Sequence, residues 1–292
     1  MFVNIKKHME GKTALSIDNK VLLVDDLSLP ELAIYHEYSE NQLFHINEPE
    51  LGVFIAESPK VIGRALDGGY EPISLLIEKS QLGKEAEPLV KRAATDFQIP
   101  VYVADEKTLL KITGYNLTRG VLCAMKRRQL PPPEEILKDA RRVAVLENVT
   151  NPTNIGAIVR SAVALGMDAV LFNKGCSDPL YRRAARVSMG TIFQTLYTFL
   201  PKEREIESLK ELGFKSVAMA LRSDTKDIDD PELRSQDKLA IFLGAEGEGL
   251  LPETISACDY CVKIPMYHGA DSLNVAAASA VAFWELSKTV GE

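Results

Sequence analysis

The chain has 292 residues, 46% of them hydrophobic, with a formal net charge of −7. This length favours two domains over one and leaves ample material for a sizeable core. The acidic balance excludes a protein that coats nucleic acid non-specifically, although it leaves room for local basic faces.

The first fifty residues carry weak signals: Val21–Val24 as a strand, and a helix from Pro30 through Tyr38. From Leu51 the pattern sharpens. Gly52–Ala56 reads as a buried strand, and Ser58-Pro59 as the cap and first turn of a helix through Ala65 to Gly68-Gly69. Ile73–Ile77 is a strand, Glu87–Phe97 a helix and Val101–Val103 a strand. Asp105 caps a short helix ending near Thr113-Gly114, and Val121–Met125 is a further strand. Strands alternating with helices describe a compact α/β unit.

Pro131-Pro-Pro133 interrupts regular structure and marks the clearest boundary, with a short helix expected over Ile136–Ala140. Beyond it, strands are expected at Val143–Leu146, Ala169–Phe172, Gln194–Phe199, Lys215–Leu221, Leu239–Leu243 and Tyr260–Ile264. Helices are expected at Asn154–Leu165, Leu180–Ser188 and Ile206–Leu212. These strands are apolar throughout rather than alternating, as a parallel sheet covered on both faces requires. No apolar run approaches bilayer length, and Met1–Glu10 lacks the apolar block of a signal peptide. Four cysteines, Cys123, Cys176, Cys258 and Cys261, suit a reducing compartment; Cys258-x-x-Cys261 has no matching second pair and reads as buried thiols. The expectation is a soluble cytoplasmic protein.

Three polar stretches stand out. Glu147–Arg160 leads from a strand end into a helix, with Asn154 as its cap and Arg160 on the second turn beside Ile158, Val159 and Ala162, where a guanidinium needs a partner. Gly244-Ala-Glu-Gly-Glu-Gly249 follows a strand directly. It has neither dinucleotide nor P-loop spacing and no lysine, so its carboxylates suit hydroxyl or amine recognition better than polyphosphate. Ile264-Pro-Met precedes a polar turn, then Ser272 or Asn274 caps a helix that begins with small residues, Ala276 to Ala280.

Asn151-x-x-Asn154-x-Gly156-x-x-x-Arg160, Gly244-Ala-Glu-Gly-Glu-Gly249, and Ile264-Pro-Met with Ser272-Leu-Asn-Val275 resemble, in order and spacing, the three motifs of the SpoU/TrmH family of RNA ribose 2′-O-methyltransferases in the SPOUT superfamily. The resemblance covers residues 142–292 and implies an α/β domain with a parallel sheet and a deep trefoil knot. Residues 1–128 resemble the smaller L30e-like α/β domain often fused ahead of it, with 129–141 as a Pro-rich linker. Periodicity alone would give an ordinary doubly wound sheet. The resemblance further implies S-adenosylmethionine as methyl donor, with Gly244, Ile264 and Leu273 lining its pocket and Met266, Ala220 and Leu221 nearby. It gives Arg160 the central catalytic place, with Asn154, Glu246, Ser272 and Asn274 around it, and it implies a homodimer. Since the leaving thioether is neutral, no metal is needed.

An RNA substrate gives weight to the basic clusters Lys126-Arg127-Arg128 and Arg182-Arg183-Arg186, and to Arg119 with Tyr115. Ribosomal RNA is favoured slightly over transfer RNA. His268 is a loop histidine outside the family's shared catalytic positions. The alternatives are an RNA-binding assembly factor that kept the fold without turnover, and a flavodoxin-like small-ligand enzyme.

Overall fold

Runs such as Val143–Leu146 and Ala240–Leu243 have no polar residue in alternation, so neither face can be left in water. In the computed structural model both are central strands of one sheet and fully buried. The structure describes residues 3–4, 20–25, 29–113, 119–201, 204–222, 225–268 and 272–287. It divides into two compact units, one of residues 1–129 with 180–186, the other of 130–179 with 187–292.

The first unit contains β1 (Val3–Asn4), β2 (Val21–Val24), β3 (Val53–Glu57), β4 (Pro72–Glu78), β5 (Val101–Ala104) and β6 (Val121–Lys126). They form one mixed sheet in the order β1-β2-β5-β4-β6-β3, parallel from β2 through β5 to β4 and antiparallel elsewhere. Its helices are α1 (Ala33–His36), α2 (Glu40–His45), α3 (Pro59–Asp67), α4 (Glu87–Thr95) and α5 (Glu106–Thr113). The single helix expected from Pro30 to Tyr38 is instead a 3₁₀ turn and α1, after which Ser39 starts α2 with a reciprocal capping box to Gln42. Asp105 does cap α5, accepting from the Thr108 N–H at 2.7 Å. Ser58 does not cap α3: it takes φ 85° and spends its N–H on the Val121 carbonyl at 3.0 Å, and its hydroxyl makes no capping bond. Gly114 and Tyr115 lie outside the described residues.

The second unit contains β7 (Arg142–Leu146), β8 (Ala169–Phe172), β9 (Leu196–Phe199), β10 (Lys215–Met219), β11 (Lys226–Asp227), β12 (Leu239–Leu243) and β13 (Tyr260–Lys263). All pairings are parallel, in the order β11-β13-β10-β12-β7-β8-β9. Its helices are α6 (Pro133–Ile136), α7 (Pro152–Ala164), α9 (Glu205–Glu211), α10 (Pro231–Ser235), α11 (Pro252–Ala257) and α12 (Val275–Leu286), whereas α8 (Arg182–Val187) belongs, but for Val187, to the first unit. The stretch after the prolines is not a loose linker. The short helix begins at Pro133 and ends at Ile136, and Ile136, Leu137 and Ala140 are buried in the core with Val143, Leu171 and Phe242. Thr198 fixes the stretch further by donating to the Pro131 carbonyl at 2.8 Å.

Chain order sets where a ligand can enter. From β7 the chain runs outward to β8 and β9; from β12 it leaves the other way, through α11 to β13 on the far side of β10. The loops after β7 and β12 therefore diverge, and such a switch point at strand C-termini opens a crevice. The segment after β13 then returns to α12, which packs against α7 and β12.

A buried arginine holds this return in place. Arg142 is 4% exposed and donates to four carbonyls: Leu286 at 2.8 Å, Asp237 at 2.8 Å, Gln236 at 3.0 Å and Arg141 at 3.1 Å. It thus joins the first residue of β7 to the last turn of α12. Arg142→Met removes the guanidinium donor from the Leu286 and Gln236 carbonyls, while the Arg141 carbonyl keeps the Leu239 N–H at 2.8 Å and that of Asp237 keeps Arg141 Nε at 3.4 Å. The change is expected to cost about 3 kcal/mol, read as a lower urea midpoint at unchanged m-value.

Asp259 ties β13 to β10. Burial alone would raise its carboxyl, but the Ser216 N–H at 2.9 Å, the Ser216 hydroxyl at 2.8 Å and the Lys215 ammonium at 3.0 Å outweigh it and hold it below its ordinary value. A depressed carboxyl stabilises the fold above the unfolded value of about 3.9, and the contribution is lost as pH falls through the folded value. The stability advantage of the wild type over Asp259→Asn is expected in full at neutral pH and to shrink as pH falls below about 3.9.

Candidate functional site

A cavity of about 600 Å³ opens at the C-terminal ends of β10, β12 and β13. Its walls come from Met219–Leu221 at the end of β10, Leu243–Leu250 after β12 with Ile255, and Val262–Ile264 and Met266 together with Ser272–Val275 and Ala278 at the start of α12. Among these are Gly244, Ile264, Leu273, Met266, Ala220 and Leu221, together with Glu246, Ser272 and Asn274. Nine of the residues singled out in the sequence thus line one space.

The glycine loop explains the cavity's shape. A side chain on Gly244 would lie 2.1 Å from the Gly249 carbonyl carbon and 2.2 Å from the Leu250 nitrogen, so the loop's two ends approach as only glycine allows. Ala245 and Gly249 close it with reciprocal backbone bonds of 3.1 and 3.0 Å. At the tip Gly247 adopts φ +86°. The loop therefore stands up as a tight hairpin carrying Glu246 on its side.

Glu246 meets two amides. Asn154 Nδ2 donates to Glu246 Oε1, and Asn274 Nδ2 donates to the same oxygen at 2.6 Å, while Asn274 also reaches Asn154 Oδ1 at 3.4 Å. Asn274 has a second task, since its Oδ1 caps α12 by accepting from the Ala276 N–H at 3.0 Å. Asn154 is not a cap. Asn151 starts α7, accepting from the Thr153 N–H at 2.9 Å with Pro152 in the first turn, and Asn154 is thereby free to point inward, where it is buried.

Arg160 departs from expectation. Its neighbours Ile158, Val159 and Ala162 are buried, but its own side of α7 is exposed, and it makes no hydrogen bond or ion pair among the described residues. It does not line the cavity. His268 is exposed in a left-handed turn, φ 58°, and Gly269 to Asp271 lie outside the described residues.

The basic residues expected to face RNA have partners within the first unit. Lys126 pairs with Glu71 at 2.5 Å and Arg119 with Glu85 at 2.8 Å. Arg127 stacks 4.5 Å from the Phe44 ring and Arg128 4.3 Å from that of Tyr70. Arg186 pairs with buried Glu57 at 2.8 Å, with Arg182 at 3.9 Å from the same carboxylate, while the Arg182 N–H donates to Glu40. Arg183 is exposed. Burial pushes the Cys258 thiol up to about 12 and Cys176 to about 11, so neither is a thiolate near neutral pH. Among the described residues no group of three His, Cys, Asp or Glu could hold a metal, and no helix is long and apolar enough to cross a membrane.

Residues 141–284 match the family described as the SpoU rRNA Methylase family. An uncharacterized tRNA/rRNA methyltransferase of Mycobacterium tuberculosis is 38% identical over 237 residues, covering 80% of this chain and 81% of that one. The chain belongs to the SpoU family of RNA methyltransferases. A further SpoU-type relative, the 23S rRNA (guanosine(2553)-2′-O)-methyltransferase RlmP of Bacillus subtilis, is 31% identical, covering 73% of this chain and 88% of its own. The 23S rRNA (guanosine-2′-O-)-methyltransferase RlmB of Acinetobacter baylyi is 29% identical over 223 residues, covering 74% of this chain and 90% of its own. In fold, the chain is similar to an AdoMet-bound rRNA methyltransferase from Sinorhizobium meliloti, with a TM-score of 0.75 at 24% identity over 92% of this chain and 98% of that one.

One residue escaped the sequence reading. Glu147, at the end of β7, is 6% exposed and bonds the far end of the glycine loop. Its position inside the first motif was the only available signal.

The two glycines of the hairpin should respond differently. Gly244→Ala must push backbone apart and is expected to cost more than about 2 kcal/mol. Gly247→Ala, where nothing lies within 4 Å of a built Cβ, should cost only the left-handed backbone penalty of about 1 kcal/mol. Urea unfolding of both variants checks the order.

Proposed function

We propose that the chain transfers a methyl group from S-adenosylmethionine to a ribose 2′-hydroxyl of RNA, with ribosomal RNA the favoured substrate. The observation that carries this reading is the meeting of Asn154, Glu246 and Asn274, from three distant motifs, at a cavity walled by the glycine hairpin. The names of the Bacillus and Acinetobacter relatives, both 23S rRNA 2′-O-methyltransferases, support the choice of acceptor.

The cavity fits such a cofactor. Its volume of about 600 Å³ lies within the roughly 300–1,000 Å³ usual for small-molecule sites. The missing side chain at Gly244 leaves backbone groups accessible, and Leu221, Val262, Ile264 and Leu273 offer apolar walls to a base. Gly244, Ile264 and Leu273 would hold the adenosyl part, with Met266 and Ala220–Leu221 beside it. Bound there, the cofactor supplies a methyl group on a cationic sulfur that leaves as a neutral thioether.

The chain's own residues must then orient the hydroxyl and manage its proton. Glu246 Oε1 is taken by two amides, which leaves Oε2 to accept from a ribose hydroxyl, with Ser272 alongside. Arg160 cannot serve as a base, because a guanidinium stays protonated in proteins. Exposed and unpaired, it is suited to clamp the phosphate next to the target ribose. We read the first unit as an L30e-like RNA-binding domain, the return path to α12 as the family's trefoil knot, and the assembly as a homodimer.

The test is transfer of labelled methyl from S-adenosylmethionine to unmodified ribosomal and transfer RNA, followed by digestion to nucleosides. The expected product is a 2′-O-methyl nucleoside from ribosomal RNA, with Arg160→Ala slower by roughly 100-fold or more. A labelled base, or full activity in that variant, overturns the assignment. No transfer despite cofactor binding would favour an RNA-binding assembly factor.

A further inference from the structure

We infer that Glu147 is a positioning residue that holds the cofactor cavity closed by clamping both ends of the glycine hairpin. The inference rests on reading that cavity as the S-adenosylmethionine site. The hairpin leaves the sheet at Leu243 and rejoins ordered structure at Leu251, where α11 begins. Glu147 touches both points. Its backbone N–H donates to the Leu243 carbonyl at 2.9 Å, continuing the β7–β12 pairing one residue past the strands. Its carboxylate Oε1 accepts from the Leu251 N–H at 2.7 Å, and Oε2 accepts from the Thr254 hydroxyl at 2.5 Å.

Geometry makes this more than a packing contact. Leu251 caps α11 with no side-chain bond of its own, so Glu147 supplies from β7 what the local sequence lacks. The hairpin's ends are already as near as Gly244 permits, and its own closing bonds join only Ala245 and Gly249. Without the carboxylate, Leu251 and α11 can move away from β7 and the wall Gly244–Leu250 can open. A glutamate at 6% exposure loses most of its hydration, which is tolerable only while both oxygens are bonded. Glu147 touches neither Glu246 nor the asparagines that hold it, so the hydroxyl-binding side of the site should survive its removal once ligand fills the cavity.

The experiment measures S-adenosylmethionine affinity by calorimetry, and KM for S-adenosylmethionine and kcat in methyl transfer, on the full chain. Glu147→Ala is expected to weaken binding and raise KM by about tenfold or more, with kcat at saturation within about threefold of wild type. Glu147→Gln can still accept from Leu251 and donate to Thr254, and should restore affinity to within about threefold. Thr254→Val removes one of the two bonds and should fall between. A purely structural role predicts instead a lower melting temperature in Glu147→Ala with unchanged affinity of the folded protein, and that result overturns the inference. If Glu147→Ala does not fold, wild-type affinity in Thr254→Val overturns it equally. A wild type that binds no S-adenosylmethionine fails at the first titration and overturns the cofactor reading together with this one.

Discussion

Three distant segments of the chain meet at one oxygen, and the sheet is what brings them there. Glu246 Oε1 receives amides from Asn154 and Asn274, which lie 92 and 28 residues away in sequence. Each such bond contributes on the order of 1 kcal/mol net, more to a charged acceptor, which is far too little to gather three segments against chain entropy. The gathering is done by the sheet. β7 and β12 are neighbours over five residues, so the loops that leave their ends are adjacent before any polar contact forms. The polar contacts then choose one arrangement among those the sheet allows. Direction of cause therefore runs from apolar strand to polar site.

The helix α12 shows the same logic at its two ends. It buries one face through Val275, Ser279, Ala282, Phe283 and Leu286, while Val281 and Trp284 remain exposed. Phe283 and Leu286, both fully buried, hold its C-terminal half, whereas the alanines of its first turns contribute little apolar area. Polar anchors also fix both termini, Asn274 at the first turn and the Arg142 guanidinium on the Leu286 carbonyl at the last. Both anchors reach elements of the sheet's central half. Because Asn274 is at once cap and Glu246 partner, the helix start cannot shift without moving the site.

What could be read from the sequence follows this division. The apolar strands β7, β8 and β12 were legible because a run without alternation has few other places to go. The cap of α7 was misplaced although the signal was present: Pro152 belongs in a first turn, so the cap must precede it, and that makes Asn151 the cap and frees Asn154. Arg160 has Val159 and Ala162 as neighbours in sequence but not on the helix surface. At 100° per residue it lies off the face formed by Ile155, Ile158, Val159 and Ala162. Helix α11 carries a local start signal in Pro252, but the carboxylate that accepts from its N-cap N–H belongs to Glu147, more than a hundred residues earlier. The partners of the basic clusters were hidden for the same reason. Nothing near Arg186 in the sequence points to Glu57, nor near Arg127 to Phe44.

Those partners bear on how an acidic chain could handle a polyanion. Charged residues near the sites expected to meet RNA are largely engaged inside the first unit, by carboxylates or by aromatic rings. Side chains held in this way present fixed rather than adaptable charge, so they reward a matching shape and give little to an arbitrary phosphate backbone. Arg160 has the opposite character, being exposed on α7, the helix that also carries Asn154. A single unpaired cation at that point adds little non-specific affinity, since each phosphate contact contributes one modest salt-dependent increment. On the function proposed above, the value of Arg160 would lie in place, its increment becoming available only to a phosphate whose neighbouring ribose reaches Glu246. A net charge of −7 would then disfavour RNA that cannot make that placement.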